Sequence, residues 1–369
     1  MIMNRAYKYR IYPSEEQKVL LNKTFGSVRL LWNHNVSIFN SFSLNGPNRS
    51  SKTSTELRHS YEWMLEVSAA AIQQKEIDFK AYKKSYFSKS RNKKLGRCSF
   101  KTKYSSQSFR LPNQKFMLGN HKIRLEKIGW IDIAIDRRPD KNCKFVSVTI
   151  SKNKIGKFYA SVLVEQEIKH KLKTYKLIGI DLGLKDFIIT SDGDKVGNPK
   201  YLHESQMKLR KAQKNLSRKK KGSSRRRKCI LKVARLHEKV VNQRKHFHHV
   251  VSSDLIQKYD FIGLEDLNVS GMAKNHKLAK AISDVAWSQF TSMLVYKAKW
   301  YGKEITKIGR FFPSSKTCSE CGWVKSTLLL SEREFVCQQC GCVHDRDINA
   351  AINIKNESLR ISAQGVACA

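Results

Sequence analysis

Two cysteine pairs, Cys318-x-x-Cys321 and Cys337-x-x-Cys340, stand fifteen residues apart, and a glycine follows each pair, Gly322 and Gly341. Thiolates spaced this way grip one ion only if the backbone doubles back behind them, and a glycine at that point supplies the turn. Two such knuckles around one tetrahedral ion make a closed four-thiolate site. That predicts one structural Zn2+ held by Cys318, Cys321, Cys337 and Cys340, with no catalytic role. Four unrelated buried or redox cysteines have no reason to fall at this spacing. Cys342 lies outside the regular gap and is expected to be a spare. The chain carries nine cysteines; an odd number without a secretory signal argues for metal binding and free thiols over a disulfide framework.

Charge names the class of partner. Seventy-one Lys and Arg face thirty-one Asp and Glu, a formal net charge of +40. The usual reason for such an imbalance is a polyphosphate, because basic side chains release condensed counterions when they meet phosphates. An anionic membrane competes as partner, but no apolar run approaches the ~20 residues of a bilayer span. The opening Met-Ile-Met-Asn-Arg leads into charged sequence with no signal-peptide core. A soluble, cytoplasmic protein with no membrane partner is expected. At 369 residues and 40% hydrophobic composition, the chain can bury a sizeable core in about two or three domains.

Along the chain the hydrophobic period changes. Tyr7, Tyr9 and Ile11 alternate with Lys8, Arg10 and Tyr12, a strand that Pro13 ends. Ser14-Glu15-Glu16-Gln17 reads as a capping box opening a helix with Leu20, Leu21, Phe25, Val28, Leu31 and Trp32 at helical spacing. After a polar gap around 45–54, helical patterning resumes from Leu57 to about Phe87. From Phe100 to about Glu167 come short alternating runs such as Phe145 to Ile150 and Phe158 to Val164, broken at Asn153 and Gly156. These predict a small antiparallel barrel or sandwich that the N-terminal strand joins, with the helices inserted. Beyond Tyr175, strands and helices mix. Asp186 to Thr190 and Lys195 to Val196 read as a hairpin. Residues 204–250 read as a strongly basic helical hairpin.

Three acidic stretches carry the chemistry: Gly179-Ile180-Asp181-Leu182-Gly183, Gly263-Leu264-Glu265-Asp266-Leu267 and Asp345-Arg346-Asp347-Ile348-Asn349. The first two close apolar runs that read as buried strands, so each delivers a carboxylate at a strand end. A lone Asp181 is equally a turn residue. Glu265 and Asp266 face opposite ways on a strand, which leaves Glu265 inward and Asp266 solvated. In the third stretch Asp347, Ala350, Ala351 and Ile354 share one helical face, where two alanines permit close approach to a sheet. Asp345 reads as the N-cap. Three hard oxygen ligands brought together are what two Mg2+ ions need for in-line phosphodiester cleavage. With the +40 charge, they predict a metal-dependent nuclease with Asp181, Glu265 and Asp347 as catalytic ligands.

The densest basic run surrounds Gly222-Ser223-Ser224: Arg218, Lys219, Lys220, Lys221, then Arg225, Arg226, Arg227 and Lys228. Such runs are usually solvated faces, but this density favours nucleic-acid contact. Tyr7, Lys8 and Arg10 are candidates for the same role, since aromatics interleaved with charge can stack on bases, although most such residues here are read as core or phosphate-facing. His246, His248 and His249 flank Phe247 without a paired carboxylate, so they are read as nucleic-acid-facing or structural.

The order of these parts resembles the TnpB family of transposon-encoded, RNA-guided DNA nucleases, relatives of the type V CRISPR effectors. Tyr-Lys-Tyr-Arg-Ile-Tyr-Pro opens the chain, then come Gly-Ile-Asp-Leu-Gly-Leu, a basic hairpin and Gly-Leu-Glu-Asp-Leu. Ser315 to Gly322 and Asp345 to Ile354 complete the pattern. The resemblance implies an α+β multidomain protein. Its parts would be a β-barrel wedge domain (1–13 and 96–172), an inserted helical recognition domain (14–95), a ribonuclease H-like (RuvC) nuclease domain (173–312 and 344–369) and a zinc ribbon (313–343). It also implies Asp181, Glu265 and Asp347 as the metal-binding triad and the four cysteines as zinc ligands. The expected partners are a transposon-derived guide RNA, one protein chain per guide, and a double-stranded target DNA beside a short motif, in a bacterial, nucleoid-associated setting. A lid over the Glu265 region, Val269 to Lys280, is expected to open on pairing. Three alternatives stay open: an RNA-guided repressor without cleavage, a guide-independent structure-specific nuclease, and a transposase, for which no His-hydrophobe-His motif with a paired tyrosine stands out.

Overall fold

The computed structural model describes residues 2–41, 53–88, 96–329 and 332–365; the polar gap expected around 45–54 lies mostly outside them. The chain divides into two compact units, Met1–Glu167 and Ile168–Ala369. No helix among the described residues is long and apolar enough to cross a membrane.

The first unit is a near-closed, seven-stranded antiparallel barrel with helices inserted after its first strand. In chain order it contains β1 (Ile2–Tyr12), α1 (Glu15–Ser41), α2 (Ser54–His59), α3 (Ala69–Phe87), β2 (Gln107–Pro112), β3 (Phe116–Leu118), β4 (Lys122–Leu125), β5 (Gly129–Ala134), β6 (Lys144–Lys152) and β7 (Phe158–Glu167). β1 pairs with β7 from Ile2–Glu167 to Ile11–Phe158, and its far end pairs with β5. Its alternation sends Tyr7, Tyr9 and Ile11 inward, onto Ile150, Ala160, Val162 and Val164. α1 opens as its capping box predicts: Gln17 N–H donates to Ser14 Oγ at 3.3 Å and Ser14 N–H to Gln17 Oε1 at 3.0 Å. The helix expected from Leu57 to Phe87 is broken. α2 ends at His59, a single 3-10 turn spans Glu62–Met64, and α3 starts at Ala69. Met64 and Val67 of the interruption pack on Leu31, Leu57 and Ile72, so tertiary burial wins over a continuous helical period.

The second unit contains β8 (Leu177–Asp181), β9 (Asp186–Thr190), β10 (Lys195–Gly197), α4 (Tyr201–Ser217), α5 (Ser224–Lys258), β11 (Phe261–Glu265), α6 (Val269–Met272), α7 (Ala279–Val285), α8 (Trp287–Tyr301), β12 (Glu304–Ile308), β13 (Glu334–Val336), β14 (Val343–Asp345) and α9 (Arg346–Ala363). Its main sheet has the order β10-β9-β8-β11-β12, antiparallel through β10, β9 and β8, then parallel through β11 and β12, as in a ribonuclease H-like nuclease fold. On one face Ile178, Ile180, Ile262 and Leu264 join Phe187, Leu255, Ile256, Phe290 and Leu294 in a core beneath α5 and α8. The alternate positions, Gly179 and Gly263, face α9. α4 and α5 form the expected basic hairpin, with Ser223 as N-cap of α5.

β13 and β14 pair in a short ribbon before α9. Each cysteine pair turns as its glycine predicts, with Gly322 at φ +77° and Gly341 at φ +73°. Phe335, fully buried, packs with Cys318, Cys337 and Trp323 as the ribbon's own core.

Candidate active site

Asp181 ends β8 and Glu265 ends β11, two strands that run parallel with Ile180 opposite Leu264. Each acid stands two residues beyond a glycine that faces α9, so strand alternation turns both carboxylates to that side. α9 brings the third. Its N-cap Asp345 accepts from Asp347 N–H at 3.0 Å and Ile348 N–H at 3.1 Å, and its buried face, Ala350, Ala351 and Ile354, lies against the sheet. Asp347 therefore sits in the first turn, above the two strand ends.

The electrostatics report the convergence. Burial, then the charges of Glu265 and Asp347, push the Asp181 carboxyl up to about 7. Burial also raises Glu265, opposed by the Ser314 hydroxyl, which donates to Glu265 Oε1 at 2.5 Å. Arg346 reaches Asp347 Oδ1 through Nε at 3.2 Å and Nη2 at 3.1 Å, while Arg333 lies 3.7 Å from Oδ2. The three carboxylates offer only hard oxygens, the donors that divalent cations of the magnesium type take, but among the described residues it is the ribbon thiols that already lie close enough together to hold an ion.

The neighbouring acids do other work. Asp345 pairs with Lys195 at 2.6 Å as well as capping α9, and that pair, against the effect of burial, holds its carboxyl below the usual range. Asp266, expected to be solvated, pairs with Arg310 at 2.8 Å. A cleft of about 440 Å³ opens beside Glu265, lined among others by Leu182, Trp287, Ser288, Tyr296 and Lys307.

In the ribbon, Cys318 and Cys340 Sγ are 3.7 Å apart and Cys321 and Cys337 Sγ 3.6 Å. Both match the ~3.8 Å edge of a tetrahedron with ~2.3 Å metal–sulfur bonds. Cys342 is no remote spare: with Cys318, Cys337 and Cys340 it forms a group of thiols, all within 4.8 Å, that can hold a metal ion. Its Sγ lies 3.2 Å from Cys318 and 3.3 Å from Cys340, inside the tetrahedral edge. Cys321 lies outside that group of four, although its Sγ is 3.6 Å from Cys337.

The expected nucleic-acid residues divide. Arg218, Lys220, Lys221, Arg225, Arg227 and Lys228 are exposed around the hairpin tip and Lys219 is half-buried. Arg226 serves the turn itself, donating to Leu216 O at 3.1 Å and Lys219 O at 3.2 Å. Lys8 is exposed over the Tyr159 ring at 4.6 Å, and Arg10 lies over Tyr159 and Tyr12. Tyr7 is a correction: its ring is in the barrel core and its hydroxyl donates to Gln166 Oε1 at 3.1 Å, so it cannot stack on a base. His248 is structural, buried against Phe187 with Nε2 3.0 Å from Val285 O.

Sequence reasoning misses Ser314, Arg346 and Asn353. The one signal for them is Asn349 and Asn353, four apart on α9 and flanking the alanine face, where a polar residue must find partners.

Family models match three stretches: OrfB_IS605, described as "Probable transposase", over residues 161–276; the Cas12f1-like TNB domain over 287–354; and the HTH_OrfB_IS605 helix-turn-helix domain over 1–38. A Streptomyces pristinaespiralis protein described as "Putative RNA-guided DNA endonuclease" is 37% identical over 98% of this chain and 91% of its own length. InsQ of Escherichia coli (strain K12), given the same description, is 26% identical over 95% of this chain and 91% of its own. A solved structure, the cryo-EM Cas12f1-sgRNA-target DNA complex, shares the fold at TM-score 0.51 and 14% identity, covering 96% of this chain and 99% of that one. With its motifs in this order and a relative this similar along nearly its whole length, the chain belongs to the TnpB (OrfB_IS605) family.

Proposed function

We propose that the protein is an RNA-guided DNA endonuclease of a transposon, cutting double-stranded DNA that matches its guide RNA beside a short target-adjacent motif. The observation that carries this reading is the convergence of three carboxylates from separate chain segments, with Asp181 raised to about 7. Groups displaced this far, gathered at strand ends beside a cleft, mark a functional centre. The +40 charge and the relatives' descriptions supply the nucleic-acid half.

In this reading Asp181, Glu265 and Asp347 hold two Mg2+ ions, and the ribbon thiols hold one Zn2+. When bound, the magnesium pair supplies an activated water and charge stabilisation at the leaving 3′ oxygen. The protein's own part is donor geometry. Asp181 gives up its proton before it can serve as a ligand, Arg346 and Arg333 orient Asp347, and the cleft beside Glu265 receives the strand to be cut. The barrel (1–13 and 96–172) and its inserted helices (14–95) hold the guide and read the flanking motif, one chain per guide. The same centre cuts both strands in turn, after the 269–280 segment moves on pairing.

The test is expression with the flanking DNA, sequencing of co-purified RNA, and incubation with a target-library plasmid and Mg2+ beside Asp181→Ala. Cleavage confined to guide-matched targets and lost in the variant supports the proposal. A discrete RNA with binding but no cutting favours a repressor; no discrete RNA favours a guide-independent nuclease.

A further inference from the structure

The zinc ribbon touches the acids through a short polar ladder. Ser314, 6% exposed, donates through its hydroxyl to Glu265 Oε1 at 2.5 Å. Its own carbonyl accepts from Asn353 Nδ2 at 2.9 Å, and the same amide reaches Thr317 O at 2.6 Å. One turn earlier on α9, Asn349 Nδ2 donates to Thr317 O at 2.7 Å and its Oδ1 accepts from Ser319 N–H at 2.9 Å. Thr317 and Ser319 bracket Cys318. Asn349 and Asn353 are both buried, so each amide must keep its partners or bear a desolvation cost.

Across the ribbon, Arg346 repeats the arrangement on the second acid. Its Nη1 donates to Glu332 O at 2.8 Å, its backbone N–H to Arg333 O at 2.9 Å, and its remaining nitrogens hold Asp347. The first cysteine knuckle is thereby bolted to Glu265 and the segment leading into the second to Asp347.

We infer that Ser314 and Asn353 are positioning residues: they fix the Glu265 carboxylate relative to α9, and through Thr317 they make its orientation depend on the folded ribbon. The inference rests on the proposed role of Glu265 as a metal ligand. A carboxylate with one oxygen tied to a hydroxyl presents the other at a fixed angle, and removal of such an outer hydrogen bond typically weakens metal affinity or activity on the order of 10–100-fold. The ribbon zinc then matters for catalysis without touching substrate.

The test is a Mn2+ titration followed by electron paramagnetic resonance on the full chain, without DNA, for wild type, Asp181→Ala, Ser314→Ala, Ser314→Thr and Asn353→Ala, with zinc content and thermal midpoint measured on each. Asp181-dependent Mn2+ binding is expected to weaken about tenfold or more in Ser314→Ala, with zinc content and thermal midpoint unchanged, and to recover in Ser314→Thr, which restores the hydroxyl. In cleavage assays the Mg2+ midpoint shifts by the same factor while the KM for target DNA holds. Unchanged or tighter Mn2+ binding in Ser314→Ala overturns the inference, the latter because the hydroxyl would then compete with the ion. Absence of Asp181-dependent binding in wild type overturns it as well. If wild type binds Mn2+ but cuts no guided target, the proposed function fails and the titration still decides the role of Ser314.

Discussion

Gly179 and Gly263 lie directly opposite each other on adjacent parallel strands, and both face α9. A Cβ at Gly179 would stand 2.1 Å from Ala351 O and 2.5 Å from Lys355 N; one at Gly263 would stand 2.5 Å from Ser358 Oγ and 3.1 Å from Ile354 O. The pair forms a groove in the sheet that seats the helix carrying Asp347, two residues before each strand-borne acid.

The two glycines predict unequal losses. Gly179→Ala meets helix backbone that cannot yield, and should cost about 3 kcal/mol or more. Gly263→Ala meets Ser358 Oγ, which can rotate, but also Ser358 Cβ at 2.9 Å, which moves only with α9, and should cost about 2–3 kcal/mol. Urea unfolding of both variants checks the order, and cleavage should fall further in Gly179→Ala because α9 lifts Asp347 away.

The pH dependence follows from Asp181. Its carboxyl moves from an ordinary 3.8 in the unfolded chain to about 7 in the folded one. The folded chain therefore keeps a proton that the unfolded chain gives up. Its stabilising contribution is full below about pH 4 and is lost as pH rises through about 7, the total being at most about 4 kcal/mol at ~1.4 kcal/mol per unit. Metal-free Asp181→Asn should lose this pH dependence in thermal melts and be the more stable form above pH 7. In the wild type, Mg2+ affinity should rise as pH approaches 7, then level off.

Zinc retention separates the five ribbon thiols. Cys321→Ser and Cys337→Ser should lose the metal and melt the ribbon. Cys342→Ser should keep it, since the Cys342 Sγ stands 3.2 Å from Cys318 and 3.3 Å from Cys340, inside the tetrahedral edge. Zinc measured by mass spectrometry on purified variants decides; loss from Cys342→Ser with retention in Cys321→Ser would reverse the ligand set.

At the hairpin tip, Lys220, Lys221 and Arg225 are exposed. Changing all three to Gln should flatten the dependence of log affinity on log salt by roughly 0.7–0.9 for each phosphate no longer neutralised. Arg226→Ala should instead loosen the α4–α5 turn, because its guanidinium is spent on Leu216 and Lys219 carbonyls. Filter binding across a salt series and helicity by circular dichroism tell the two apart.

Much of the site is legible in the sequence because its signals are local. A cap at Ser14, glycines behind thiolates, an acid at the end of each apolar run and two alanines beside Asp347 each follow from spacing within a few residues. The polar ladder is not legible: Ser314 meets Glu265 across forty-nine positions and Asn353 meets Ser314 across thirty-nine, and no period encodes such pairings. Tyr7 shows a signal present but outweighed. Its alternation with Tyr9 and Ile11 already places the ring inward; the basic residues between them suggest a surface instead. Spacing alone makes Cys342 a spare, while the turn before β14, closed by Cys337 N–H donating to Cys342 O, returns its thiol to the cluster.

The order of the three acids along the chain has a consequence for synthesis. β8 and β11 are complete long before α9 is made, and the ribbon that aligns α9 comes between them. A nascent chain that stops short of α9 carries the basic hairpin and two of the three acids, and lacks Asp347. In the proposed reading, the metal-dependent chemistry is withheld until α9 has been made.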